Sequence, residues 1–135
     1  MKIIIDTCVW SLALRRNEPQ ENKYVEELKE LIKEVRAHLI GPVRQELLCG
    51  IKSKKQLDLL KNHLRAFEDI EIEREDYELA AEYFNTARKK GIQGSNTDFL
   101  ICAISTRRDM PILTTDKDFI NFKDVLPIKL HGTRV

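Results

Sequence analysis

At 135 residues and 15.8 kDa, the chain is long enough to bury a core of its own without disulfides or a structural metal, and its length suits one domain over residues 1–135. Apolar residues make up 42% and charged residues 33%, with 5 Gly and 4 Pro, which excludes a disordered chain and a fibrous repeat. The net charge of +1 names no partner, no apolar run approaches the ~20 residues of a membrane span, and Asp6 comes too early for a signal-peptide core, so a cytoplasmic protein away from membranes is expected.

Lys2 to Ile5 (KIII) is a short β-branched run ending at a polar residue, the pattern of a strand buried on both faces of a parallel sheet. After TCVWSLALRR, Asn17 and Pro19, the stretch from Glu21 to Arg36 aligns Val25, Leu28, Leu31, Ile32 and Val35 on one helical stripe. His38 to Gly41 is too short for a helix, and Pro42 suits a first helical position. A second strand and a turn therefore lead into a helix through Val43 to Ile51, with Glu46 in its first turns. Beyond the basic KSKK, Leu57, Leu60, Leu64 and Phe67 recur at helical spacing, and Ile70 and Ile72 alternate with acids as in a strand.

Asp76 to Lys90 reads as a helix of strong formers closed by Gly91. Gly94-Ser95-Asn96-Thr97 marks a turn and N-cap, and Asp98 to Arg107 is apolar nearly all round, as a central buried helix is. Pro111 resets the chain for a fourth strand at Ile112 to Thr114, a short helix holds Phe119 and Phe122, and Ile128 to Leu130 forms a fifth strand. Strands separated by helices, with no linker or repeat, predict an α/β fold with a mostly parallel five-stranded sheet.

Cys8, Cys49 and Cys102 are odd in number, widely spaced and set among apolar neighbours, which favours reduced, buried thiols. His38, His63 and His131 show no paired spacing and no nearby CxxC, so zinc has little support.

Most of the 22 acids fall on amphipathic polar faces, but a surface explanation is weak for Asp6, Glu46, Asp98 and Asp116. Asp6 ends the first strand and Asp116 follows the fourth, so both emerge at the carboxyl edge of a parallel sheet, where such folds build their sites. Glu46 follows the second strand's turn on the same edge. Asp98 opens an apolar helix, where a carboxylate is costly unless capped, paired or bound to a cation. Each alone has a structural alternative: N-caps for Asp6 and Asp116, a first-turn acid favoured by the helix dipole for Glu46. Together, with no histidine among them, they favour a divalent cation site, because crowded carboxylates stay ionised only with positive charge between them. Oxygen ligands select Mg2+ or Mn2+ over zinc.

IIIDTCVW, Glu46 in PVRQELLCG, Asp98 in GSNTDFLICAIS and the tail motif ILTTDKDF together resemble the PIN-domain nucleases, in particular VapC-type toxins of prokaryotic toxin–antitoxin pairs, over essentially the whole chain. The resemblance implies a three-layer α/β/α domain that cleaves RNA with Mg2+ or Mn2+. It implies Asp6, Glu46, Asp98 and Asp116 as a catalytic quartet, with Asp6, Asp98 and Asp116 holding the metal. Thr7 and Thr114 match the family's hydroxyl positions and would orient carboxylates or a metal-bound water. Asp118 reads better as a cap or surface acid. A homodimer and a cognate VapB-type antitoxin are further implications.

Setting the quartet aside leaves 23 basic against 18 acidic residues, a balance of +5 suited to a phosphate backbone. Arg15, Arg16, Arg44, Lys52, Lys54 and Lys55 are the candidates for an RNA track. Three other readings compete. A receiver-like or degenerate binding module fits poorly, since a receiver wants an acidic pair at the first strand. A phosphatase of the Asp-x-Asp type would need an acid where Cys8 stands. An RNA-maturation nuclease shares the chemistry but carries extra domains.

Overall fold

The computed structural model describes residues 1–14 and 22–134, over which the order is β1 (Ile3–Ile5), α1 (Thr7–Leu14), α2 (Lys23–Lys33), β2 (Ala37–His38), α3 (Gly41–Leu48), α4 (Lys54–Leu64), α5 (Arg74–Lys89), α6 (Asn96–Arg108), β3 (Ile112–Leu113) and α7 (Asp118–Val125). The three strands are parallel in the order β2-β1-β3, with Ile3 opposite Ala37 and Ile5 opposite Leu113. Ile3, Ile4 and Ile5 are all buried, as a central strand covered on both faces by helices requires.

The α/β fold is as expected, but the sheet is shorter: three strands rather than five. The two outer segments contribute single parallel bridges, Leu39 with Asp69 and Ile112 with Leu130. The first is held by the Ile70 amide on the Leu39 carbonyl at 2.9 Å, after which exposed Glu71 and Glu73 offer the edge nothing to bury. On the other side the ladder is limited by Pro127, which has no N–H to give. Only the Ile112 amide to Lys129 and the His131 amide to Ile112 are made there, at 2.9 and 2.7 Å.

Helix boundaries follow their caps. Asn22 caps α2 through its side-chain oxygen, and Val35 ends the turn in the left-handed region at φ 57°. The buried face of α2 is Glu27, Leu28 and Leu31, whereas Ile32 and Val35, read as part of the stripe, are exposed. The α3 helix stops at Leu48 rather than Ile51 because Cys49 turns extended and Gly50 takes φ 84°. That turn leaves Cys49 exposed. Cys102 is buried as expected, and Cys8 lies between the two.

α6 is the centre of the core, buried continuously from Phe99 to Ser105. It starts two residues before Asp98, because Ser95 is the N-cap: its hydroxyl accepts from the Asp98 amide at 3.1 Å, and Asp98 Oδ2 accepts from the Ser95 amide at 3.0 Å. Gly94 lets this loop settle onto aromatic side chains. A Cβ there would lie 2.6 Å from Phe122, which is itself wedged against Phe99 and Phe119 at centroid distances of 5.0 and 5.1 Å. Gly94→Ala is therefore expected to cost about 1–3 kcal/mol in chemical denaturation, the usual penalty of overpacking a rigid core.

Two acids assigned by their spacing to polar faces are in fact buried. Asp76 has no exposed surface and receives Arg107 at 2.6 Å, Arg108 at 2.7 and 2.9 Å and the Glu73 amide at 2.7 Å, which locks α5 to the end of α6. Burial alone would raise its pKa, but these donors hold it at about 2. Glu27 binds His131 at 2.7 Å and Arg134 at 3.2 Å, which fastens the chain's last described residues to α2. Burial opposes its ionisation, but the His131 hydrogen bond and Arg134 prevail and lower its pKa.

Candidate active site

Asp6 is the residue at which β1 becomes α1. Its amide still joins the sheet through the Leu113 carbonyl at 3.0 Å, and its own carbonyl accepts from Val9 in the first turn. This strand-to-helix corner fixes the side chain, only 5% exposed, at the carboxyl edge of the sheet. Oδ1 accepts from the Thr7 amide at 2.8 Å, and Oδ2 accepts from the Thr114 hydroxyl at 2.7 Å and the Cys8 thiol at 3.3 Å.

Thr114 leaves β3 on the same edge and links two acids. While donating to Asp6, its hydroxyl oxygen accepts from the Asp116 amide at 3.0 Å. Asp116 in turn takes the Asp118 amide on Oδ1 at 2.9 Å, a turn that starts α7. Asp118 itself is exposed. Thr7 reaches the other way, donating to Glu46 Oε2 at 3.1 Å and so bringing the exposed Glu46 of α3 to the first turn of α1.

Asp98 stands in the first turn of α6, and the charges of two other acids act on its ionisation. Burial raises the Asp98 pKa; the Ser95 amide opposes this, and the charges of Asp6 and Asp116 add to it. Asp6 is raised chiefly by burial as well, against its three hydrogen bonds, with Asp116 again adding to the rise. The buried Cys102 thiol beneath them is pushed up by burial and by the charges of Asp98 and Asp6. Asp6, Asp98 and Asp116 thus share one field, and Thr7 joins Glu46 to it.

The residues fit a hard divalent cation in chemistry: they are oxygen donors, and two of them are held against their ionised form by burial and mutual repulsion. Among the described residues, no group of three or more Asp, Glu, His or Cys side chains is drawn close enough to hold a metal ion.

Of the expected basic track, Arg15 and Arg16 lie outside the described residues. Arg44 is committed elsewhere: its guanidinium bonds Asp69 at 2.9 Å and the Leu64 and Phe67 carbonyls at 3.0 and 2.7 Å, clamping α3 to the end of α4. Lys52, Lys54 and Lys55 are exposed just before and at the start of α4. The sequence reading passed over Cys8 as a plain core thiol; it bonds Asp6 and accepts from the Thr115 amide at 3.4 Å. Its place two residues after Asp6 on the first turn of a helix was the available signal.

A parallel α/β fold with carboxylates at the carboxyl edge of its sheet carries its acids where such folds bind their ligands. The family model for the PIN domain matches residues 3–125, and the chain belongs to the PIN-domain family, whose members are generally nucleases that use divalent metal ions. Among solved structures it is similar to FitAcB from Neisseria gonorrhoeae, at 22% identity and a TM-score of 0.75 over 96% of each chain. It is also similar to VapBC2 from Rickettsia felis bound to a DNA fragment from their promoter, at 20% identity and a TM-score of 0.75, over 97% of this chain and 98% of that one. VapBC-5 from Mycobacterium tuberculosis shares 16% identity at a TM-score of 0.68, over 99% of this chain and 98% of that one. No curated protein matches significantly.

Proposed function

We propose that the chain is a metal-dependent endoribonuclease of the VapC type, the toxin half of a type II toxin–antitoxin pair, acting as one PIN domain over residues 1–135 in the cytoplasm. The observation that carries this reading is that burial raises both Asp6 and Asp98, with the charge of Asp116 adding to each and that of Asp6 adding to Asp98. Such a cluster is costly to a fold and is relieved by a cation. Asp6, Asp98 and Asp116 would hold Mg2+ or Mn2+, with Glu46 completing the quartet directly or through water. When bound, the cation makes a water more acidic and opposes the charge on the leaving oxygen. Thr114 and Thr7 orient Asp6 and Glu46 by their hydroxyls, and Thr114 also fixes the turn that presents Asp116. Exposure of Glu46 to solvent supports its completing the site through water.

Partners follow from the same reading. Similarity to VapBC2 and to VapBC-5, a member of the VapBC family of toxin–antitoxin systems, supports a VapB-type antitoxin as partner. A homodimer is supported by an apolar recess between α3, α5 and α6, where Pro42, Phe84 and Leu100 adjoin Tyr77, 56% exposed. Among the described residues no helix is long and apolar enough to cross a membrane.

The test is cleavage of a mixed cellular RNA pool by the purified protein with Mn2+ or Mg2+, beside EDTA and the Asp98→Ala variant. Cuts lost in both controls are expected. Cutting that survives EDTA defeats the metal-dependent reading. No cutting, with calorimetry showing no metal bound by antitoxin-free protein, leaves a binding module instead.

A further inference from the structure

We infer that Arg88, at the end of α5, holds a phosphate of the RNA strand on the flank of the loop that leads into α6 and Asp98; this rests on the nuclease reading above and names a residue of its substrate track. An acidic quartet repels the polyanion it is to cut, so cations outside the quartet must hold the strand. Among the described residues most arginines are already paired with carboxylates. Arg44, Arg107, Arg108 and Arg134 are each bound to carboxylates, whereas no hydrogen bond or ion pair engages the Arg88 guanidinium among the described residues. Arg74 is likewise without a carboxylate partner but begins α5, at the opposite end of the helix from Arg88.

Arg88 is tied to the site through a short series of contacts. Its guanidinium lies over the Phe84 ring at 5.7 Å, Phe84 meets Phe99 edge-on at 5.5 Å, and Phe99 follows Asp98 in α6. Stacking on an aromatic face orients the planar fork while leaving its N–H groups outward, the arrangement suited to a phosphate. A recess of about 300 Å3, with room for a phosphate and its sugar, opens between Phe84, Arg88, Ile92, Gln93, Gly94 and Phe99. Its far wall is the loop that carries the α6 N-cap. Exposed Lys89 and Lys90 follow Arg88 directly and extend the same positive ground. A helix end attracts basic residues through its dipole in any case. That role predicts an effect on stability and none on RNA affinity.

The experiment measures fluorescence anisotropy of a labelled single-stranded oligoribonucleotide against the full chain in EDTA, where cleavage is off, across a salt series. Arg88→Ala is expected to weaken binding about 5- to 10-fold and Arg88→Glu about 30-fold, with the slope of log affinity against log salt smaller by about one. Arg74→Glu is expected to bind as the parent does, and the melting temperatures of all three variants check that each is folded. Parent-like affinity and slope in Arg88→Ala overturn the inference, as does an equal loss in Arg74→Glu, which would make the effect one of net charge. A parent protein that binds no RNA overturns the nuclease reading itself.

Discussion

Asp98→Asn is expected to abolish cleavage, by roughly 10²- to 10³-fold in kcat, while making the metal-free protein more stable. The two effects share one cause. Burial and the charges of Asp6 and Asp116 raise the Asp98 pKa, so ionised Asp98 burdens the fold at neutral pH. Asparagine removes that charge and keeps an oxygen for the Ser95 amide, so the helix cap persists. A group with a raised folded-state pKa adds stability below its unfolded pKa and loses it as pH rises through the folded value. The variant's advantage in EDTA is therefore absent below about pH 4 and grows as pH rises toward neutrality, read as a higher melting temperature. Saturating Mn2+ reverses the order. At 100 times its dissociation constant, a cation stabilises the parent by about 2.7 kcal/mol, and the variant loses most of that gain. Thermal melts of both proteins in EDTA and in Mn2+ check all of this. A variant that melts below the parent in EDTA would show Asp98 to be a helix cap before anything else.

The second large effect lies away from the site. Asp76→Ala is expected to cost about 3 kcal/mol, or roughly 10 °C in melting temperature for a chain of this length. It removes the acceptor shared by Arg107, Arg108 and the Glu73 amide. The figure sits at the low end for a broken buried pair, because the two guanidiniums are 30% and 23% exposed and can turn to water. The pH dependence runs opposite to that of Asp98. Asp76 is held at about 2, so its contribution is complete above the ordinary carboxylate pKa and fades as pH falls from about 4 toward 2. Denaturation of parent and variant should therefore differ most at neutral pH and converge in acid. α6 carries both Asp98 at its start and Arg107 and Arg108 at its end, so one helix joins the site to its main brace.

The contrast between these two acids shows what patterning reveals. Asp98 was conspicuous because it opens a run of apolar residues, and an acid at the head of a buried helix breaks the local pattern. Asp76 was not, because it stands among the Arg, Glu and Tyr residues of an amphipathic helix start, where acids are ordinary. Its partners come from thirty residues further along the chain, and no local spacing announces them. Glu27 was hidden in the same way, within a charged helix face that happens to meet the chain's end at His131 and Arg134.

The sequence by itself determined the elements and the edge on which the acids stand. Ile3 to Ile5 and Ile112 to Leu113 are apolar strands suited to a parallel sheet covered on both faces, and the run after Asp98 is apolar nearly all round, as a helix buried against that sheet is. Asp6 and Asp116 follow such strands and so emerge at the carboxyl edge, and Asp98 stands at the head of the buried helix. The tertiary structure alone decided how far the outer strands extend, which acids share a field, and which cations are committed. Each of these depends on groups distant in the chain meeting in space: Thr114 on Asp6, Arg44 on Asp69, Arg107 on Asp76. Burial and pairing set the ionisation of such groups, and both are properties of the packed molecule rather than of any window of its sequence.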